Sequence, residues 1–332
     1  MNEKIKIYVF GAGAWGTTVA NLLSEKGYDV FIWAREKEVV DLINKKHINK
    51  TYLANVKLSK KLLAFNEIKK FCDCDILINA IPTQYIKETL NKIKELKKET
   101  LIISLSKGIE INTFKRPSEI LYELFKRDIY VLSGPNFAIE VAQKKPTATT
   151  IAGKDREKRE FLQKIFSTPY FRVYENDDVV GVEISGAVKN VIAIAAGMCD
   201  ALKLGNNAKA ALITRGLNEI RKLGKKLGAN DITFLGLSGI GDLILTCNSN
   251  ISRNYSTGYL LGKGKDINFI TNKTKHIAEG IKTSLALKKL SEKLGVEMPI
   301  SEQVYKVIYE NQSPKKAVEL LMSRTLKPEF YG

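Results

Sequence analysis

The stretch I-K-I-Y-V-F-G-A-G-A-W-G-T-T-V-A, from Ile5 to Ala20, decides the fold. Ile5, Ile7, Val9 and Phe10 predict a buried parallel strand. Gly11, Gly13 and Gly16 then form G-x-G-x-x-G, and Thr17 to Leu23 continue as a helix. Gly11 permits the tight strand-to-helix turn. Gly13 lacks a Cβ, so a pyrophosphate can approach the backbone, and Gly16 lets the helix pack close to the sheet. The exposed N–H groups and the helix dipole favour an anion at this point. A lone glycine triplet is weak evidence. A triplet that follows a strand and opens a helix has the context that a dinucleotide site requires.

Working outward, a second strand, Val30 to Trp33, ends in Ala34-Arg35-Glu36. This is the register at which such folds read the adenosine ribose. Arg35 favours a 2′-phosphate and hence NADP; Glu36 favours a 2′-hydroxyl and hence NAD. Lys45 to Ala64 reads as an irregular insert. Asp75 to Ile81 is a further buried strand, Thr83 to Leu96 has helical spacing, and Leu101 to Leu105 is a strand leading into Ser106-Lys107-Gly108. Ligands of open α/β sheets bind beyond the carboxyl ends of the strands, which makes Lys107 a candidate site residue. Ile129 to Leu132 precedes Gly134-Pro135-Asn136, where Asn136 is placed to cap a helix running to Ala142. Strands at Thr147 to Ala152 and Tyr170 to Tyr174 flank a helix from Lys154 to Phe166. The alternation predicts an α/β domain, residues 1–178, with a Rossmann-like, mostly parallel sheet.

Beyond residue 178 strand patterns nearly vanish, and residues 179–332 predict an all-α domain. From Val179 to Cys199 only Glu183 and Lys189 are charged. That length suits a membrane span, but two ionised residues near the middle would each cost about 2.5–3.5 kcal/mol. A buried helix of a globular domain is the better reading. Lys189 is then anomalous, since an unpaired ammonium in apolar surroundings is expensive. Either its stem runs along the apolar surface and the ammonium reaches solvent, or desolvation lowers its pKa and fits it to act as a base. Asp242, the one charge in Gly236-Leu-Ser-Gly-Ile-Gly-Asp242, is a candidate partner or a helix cap. Ser252-Arg253-Asn254 lies in a polar loop where an arginine can fork phosphate oxygens, and Glu279 is placed favourably at a helix start.

The 332 residues carry 53 basic and 36 acidic side chains, a net charge of +17. A nucleic-acid binder would concentrate that excess in a stripe or tail. Here it is spread over both domains, 22 basic against 13 acidic residues falling after position 178. A general pull on anionic metabolites is the modest consequence. The four cysteines, Cys72, Cys74, Cys199 and Cys247, lack disulfide or zinc spacing, and His47 and His276 build no metal cluster with them. No signal-peptide pattern precedes the first strand.

Taken together, G-A-G-A-W-G at 11–16, S-K-G-I-E at 106–110, G-P at 134–135, K-N-V-I-A-I-A-A-G at 189–197, I-T-R-G-L at 213–217, G-L-S-G-I-G-D-L at 236–243, S-R-N at 252–254 and E-G at 279–280 resemble NAD(P)-dependent glycerol-3-phosphate dehydrogenase of the bacterial type. The resemblance runs from Gly11 to about Glu329. It implies a cytoplasmic homodimer that reduces dihydroxyacetone phosphate to sn-glycerol 3-phosphate for phospholipid synthesis, with no nucleic-acid partner and no membrane span. It implies Lys189 as general base, with Lys107 and Asp242 completing the catalytic set. It assigns the cofactor to Gly11, Gly13, Ala14, Trp15, Gly16, Arg35, Lys107, Ala138, Arg253, Ile277 and Glu279. It assigns the substrate to Lys107, Gly134, Lys189, Asp242, Ser252, Arg253 and Asn254. The chain departs from the family pattern at Asn136, where serine is usual, at Tyr255-Ser256-Thr257, where basic and aromatic residues are common, and at Glu36. A 6-phosphogluconate-type dehydrogenase would share this architecture. A non-catalytic dinucleotide sensor would not need Lys189.

Overall fold

The computed structural model describes residues 5–69, 71–273 and 278–329. The chain forms two compact units. The first contains Met1–Lys107 and Lys115–Val179, the second Gly108–Phe114 and Val180–Gly332. The sequence reading carries no signal for the excursion at 108–114.

The first unit is built on an eight-stranded sheet. Its strands in chain order are β1 (Lys6–Phe10), β2 (Asp29–Trp33), β3 (Leu63–Phe65), β4 (Ile76–Asn79), β5 (Leu101–Ser104), β6 (Ile129–Ser133), β7 (Thr147–Ala152) and β8 (Phe171–Asn176). In space the order is β8-β7-β6-β5-β4-β1-β2-β3. Every pairing is parallel except β6 with β7. The side-chain period of two divides the apolar residues between two faces. Ile7, Val9, Ile32, Ile78 and Ile103 bury on one face with Val19 and Leu23 of α1 (Ala14–Glu25) and with Leu162 and Phe166 of α4 (Arg156–Phe166). Phe10, Leu77, Ile102 and Ile129 bury on the other with Ile120 and Leu121 of α2 (Pro117–Phe125). Truncating any one of these to alanine costs about 2–5 kcal/mol. The strand order reverses at β1, whose neighbours are β2 and β4. The glycine turn therefore leaves the sheet at its topological switch point, where ligands of such folds bind.

The second unit is helical, and α5 (Val179–Ala201) runs through its middle. Gly181 to Cys199 are buried without exception. The helix is long and apolar enough to cross a bilayer, yet 89% of its most apolar window is covered by the rest of the protein. Its apolar surface is spent on core, with Ile220 and Leu223 of α6 (Asn206–Lys226) among its partners. Four further helices matter for the site: α7 (Asp242–Cys247), α8 (Arg253–Gly262), α9 (Glu279–Leu294) and α10 (Pro299–Tyr309). Glu219 of α6 is buried and accepts hydrogen bonds from Ile300 N (2.5 Å), Ser301 N (3.1 Å) and Ser301 Oγ (2.8 Å). It thereby satisfies orphan donors at the start of α10. Burial pushes its carboxyl up to about 7 against the pull of those donors.

The structure corrects three local expectations. Thr83 to Leu96 is not one helix. A single helical turn at Thr83–Tyr85 leads into Ile86–Leu90, and Glu95–Leu96 pairs as a short strand with Phe71–Cys72. Ile86, Leu90 and Ile93 are buried at helical spacing, but the helix ends at Leu90 and Ile93 lies beyond it. Lys45 to Ala64 is not irregular: Ile48–Asn49 and Leu53–Lys57 pair antiparallel, and Leu63–Phe65 joins the main sheet beside β2. Ile48–Asn49 and Leu63–Phe65 are too short to show a period, and Leu53–Lys57 buries Leu53 and Val56 three apart, which does not alternate. Asn136 does not cap a helix, because α3 (Ala138–Ala142) begins after Phe137 without a side-chain cap. The Asn136 amide bonds the Thr149 hydroxyl instead, at 2.8 Å.

Candidate active site

In the first unit the candidate residues gather around the glycine turn. Gly11 has φ +119°, which L side chains rarely adopt, and a Cβ there would lie 2.6 Å from the Ala80 carbonyl oxygen. A Cβ on Gly16 would lie 2.0 Å from the Gly11 oxygen. These two glycines are demanded by the chain's own packing. Gly13 is different: beyond its own chain neighbours, nothing among the described residues lies within 4 Å of where its Cβ would be. No contact among the described residues requires glycine there, whereas a ligand pressed against the backbone would. Gly13 is also the cap residue of α1, so no side-chain oxygen at the cap competes for the first-turn N–H groups. Both features fit a bound diphosphate. Ala14 and Trp15 open α1, and Thr18 Oγ1 donates to the Ala138 carbonyl (3.1 Å), which brings Ala138 beside the same helix.

At the end of β2, Arg35 and Glu36 form an ion pair, Nη2 to Oε1 2.9 Å. The guanidinium side chain is 81% exposed. Tyr52 Oη also donates to Glu36 Oε1, at 3.1 Å. Burial alone would raise the Glu36 carboxyl; Arg35, backbone N–H and Tyr52 outweigh it and hold it below the usual range. Arg35 is therefore not a bare cation awaiting a phosphate. A 2′-phosphate has to compete with Glu36 for it.

Beyond β5, Ser106 Oγ donates to Ile81 O (2.5 Å) and accepts from Asn79 Nδ2 (2.9 Å), which pins the strand end leading to Lys107. Lys107 Nζ donates to Gly134 O at 3.1 Å. The structure thus brings together two residues 27 positions apart that the sequence reading put in one site.

In the second unit Lys189 is buried, 6% exposed. Its Nζ donates to Asp242 Oδ1 and to Thr246 Oγ1, both at 2.7 Å, and Thr246 Oγ1 donates to Asp242 Oδ1 at 3.1 Å. Asp242 and Thr246 are one turn apart on α7, so both face the amine from one side of that helix. Asp242 is the first residue of α7, whose cap position is Gly241. It is the partner of Lys189 and not the cap. The pair offsets a desolvation cost that neither charge could bear alone.

The neighbouring helices reach α5 because glycines let them. A Cβ on Gly258 of α8 would lie 1.9 Å from the Ile194 carbonyl oxygen, and one on Gly280 of α9 would lie 2.6 Å from Asn254 Oδ1. Asn254 is buried; its Nδ2 donates to Asn190 Oδ1 (2.9 Å) and its Oδ1 accepts from Gly280 N (2.9 Å). Ser252 caps α8, accepting from Tyr255 N at 3.2 Å. Arg253, first in α8, is exposed, and Glu279 is first in α9. Ile277 lies outside the described residues. Thr246, Asn190 and Tyr52 were not singled out from the sequence. Thr246 sits one turn past Asp242, and Asn190 adjoins Lys189, which is the signal that would have found them.

Two family models match the chain. One, described as the N-terminus of NAD-dependent glycerol-3-phosphate dehydrogenase, covers residues 6–159, and the C-terminal one covers 178–319. The curated glycerol-3-phosphate dehydrogenase (NAD(P)+) of Citrifermentans bemidjiense is 46% identical over 330 residues, 98% of either chain. That of Thermotoga sp. strain RQ2 is 47% identical, spanning 99% of this chain and 100% of the relative. The crystal structure of glycerol-3-phosphate dehydrogenase from Coxiella burnetii is 34% identical, with a TM-score of 0.91 over 97% of this chain and 99% of that one. A D-mandelate dehydrogenase at 16% identity and TM-score 0.62 shares the fold alone.

Proposed function

The chain belongs to the NAD-dependent glycerol-3-phosphate dehydrogenase family, and we propose that the buried amine of Lys189 handles the proton of that family's reaction. The activity is reversible hydride transfer between NAD(P)H and dihydroxyacetone phosphate, giving sn-glycerol 3-phosphate for glycerophospholipid synthesis. When bound, the reduced nicotinamide supplies the hydride. Everything else falls to the protein.

Lys189 gives a proton to the C2 oxygen as negative charge develops there, and takes the C2 hydroxyl proton in the reverse direction. Proton transfer of this kind contributes about 10²–10⁴ in rate. Asp242 and Thr246 hold the amine in place and balance its charge. The observation that carries the reading is this buried Lys189–Asp242–Thr246 cluster, since a charged pair at 6% and 1% exposure costs folding energy that a purely apolar core would not. We assign residues 1–178 to the dinucleotide and 179–332 to the substrate. Gly13, Ala14, Trp15, Arg35 and Ala138 contact the dinucleotide. Glu279 and Arg253 are the candidates that the second unit offers it. Ser252, Arg253 and Asn254 are the candidates for gripping the substrate phosphate, and Lys107 and Gly134 are the first unit's candidates for the substrate. The expected polar loop is instead the capped start of α8, and the hydrogen bonds of Ser252 and Asn254 support a rigid phosphate grip there.

Purified protein is expected to oxidise NADH or NADPH on addition of dihydroxyacetone phosphate, followed by absorbance. Oxidation with 2-oxo acids and none with dihydroxyacetone phosphate would remove the assignment. The family resemblance supports a cytoplasmic homodimer. Sedimentation velocity that finds only monomer at micromolar concentration would withdraw the dimer, and cell fractionation tests the compartment.

A further inference from the structure

Asn49 is fully buried on the short strand Ile48–Asn49, far in sequence from the glycine turn it touches. Its Nδ2 donates to Ala12 O (2.9 Å) and to Thr17 Oγ1 (2.8 Å). Its Oδ1 accepts from Tyr52 N (3.2 Å). A backbone N–H on one side and a carbonyl on the other leave the amide a single orientation. Thr17 Oγ1 also donates to Ala12 O, at 3.1 Å. Both lone pairs of the Ala12 carbonyl are thus taken by donors inside the protein.

We propose that Asn49 is a positioning residue that fixes the polarity of the glycine turn, so that the peptide joining Ala12 and Gly13 presents its N–H, and not its carbonyl, to the dinucleotide diphosphate. The peptide is planar and trans, so a carbonyl pinned inward sends the Gly13 N–H the opposite way. That is the direction in which a diphosphate wants donors. The lock is needed because of Gly13 itself. A glycine crosses φ/ψ space at little steric cost, and the peptide preceding it is correspondingly easy to rotate. Rotated, the carbonyl dipole would face the anion and repel it. The residue that admits the ligand also loosens the turn, and Asn49 with Thr17 restores its direction.

This inference rests on the turn being the dinucleotide site, and the test separates the two. ADP-ribose, which carries the diphosphate and no nicotinamide, is titrated calorimetrically into wild type, Asn49→Ala and Thr17→Val. Kinetics with NADH and dihydroxyacetone phosphate are measured beside it. Wild type is expected to bind ADP-ribose. Asn49→Ala is expected to weaken that binding about tenfold, the size of losing one buried hydrogen bond. It should raise the KM for NADH in step, with kcat at saturating NADH and the KM for dihydroxyacetone phosphate within about twofold of wild type. Thr17→Val, which removes one of the two donors to Ala12 and keeps the side-chain shape, should show the same split at about threefold. If Asn49→Ala does not fold, the Thr17→Val split decides alone. Unchanged ADP-ribose affinity, or a loss in kcat as large as the loss in binding, overturns the proposal. Wild type that fails to bind ADP-ribose overturns the dinucleotide reading and this proposal with it.

Discussion

Two ion pairs of nearly equal length sit in opposite surroundings. Arg35–Glu36 measures 2.9 Å with its arginine 81% exposed; Lys189–Asp242 measures 2.7 Å with side chains 8% and 2% exposed. Distance does not tell them apart; solvent does. Around the first pair, water and salt screen the charges, and such pairs are worth about 0–1 kcal/mol. Either partner can trade the other for a ligand cheaply, which suits a specificity determinant. Around the second, no water replaces a lost partner, so the pair is expensive to disturb and the amine keeps one geometry. That suits a group which must meet a reacting oxygen in register.

The largest expected difference follows directly. Asp242→Ala leaves an ammonium buried without its countercharge and should destabilise the protein by about 3–5 kcal/mol in denaturant unfolding. Glu36→Gln should change stability by less than about 1 kcal/mol in the same measurement. Equal effects would break the comparison.

Glu219 is a third case, a buried carboxylate held by N–H and O–H donors with no ion-pair partner in hydrogen-bond contact among the described residues. Its folded pKa of about 7 lies above the ordinary 4.5. The folded state therefore binds more protons than the unfolded state between those values. Stability should fall as pH rises from about 4.5 to 7, by roughly 3 kcal/mol for this group. Glu219→Gln should remove that slope in unfolding curves taken across the window, although the amide also disturbs the start of α10. A slope that persists undiminished assigns it to other groups.

Smaller effects belong to the exposed pair. Glu36→Gln frees Arg35 for a 2′-phosphate and should raise kcat/KM for NADPH relative to NADH about two- to fivefold, the range of a screened charge contact. Arg35→Ala should move the ratio the other way. A ratio that moves with neither variant would show that the pair does not read the ribose.

How much of this was legible in the sequence depends on the range of the interaction. The glycine turn was legible because Gly11 and Gly16 are demanded by local backbone geometry, and α5 because its apolar run is long. Lys189 stood out as a charge inside that run, and Asp242 as the one charge in a glycine-rich apolar stretch. The hairpin at 48–57 was not legible. Its strands are short, and what makes Asn49 and Tyr52 matter is contact with residues 12, 17 and 36, which no period reports. Thr246 was missed for a related reason, since a threonine in a short helix is unremarkable until Asp242 is known to face inward. Asn136 misled because an asparagine before a helix is commonly a cap, and only the fold places Thr149 within its reach.

The role proposed for the Lys189 amine, carrying the proton at C2, is tested most directly by a single-turnover experiment on Lys189→Ala. The variant is loaded with NADH, mixed rapidly with dihydroxyacetone phosphate, and followed by loss of reduced-nicotinamide absorbance. NADH affinity should match wild type within about twofold, while the rate of oxidation should fall by about 10²–10⁴. Oxidation at a near-wild-type rate by fully loaded Lys189→Ala would contradict the account.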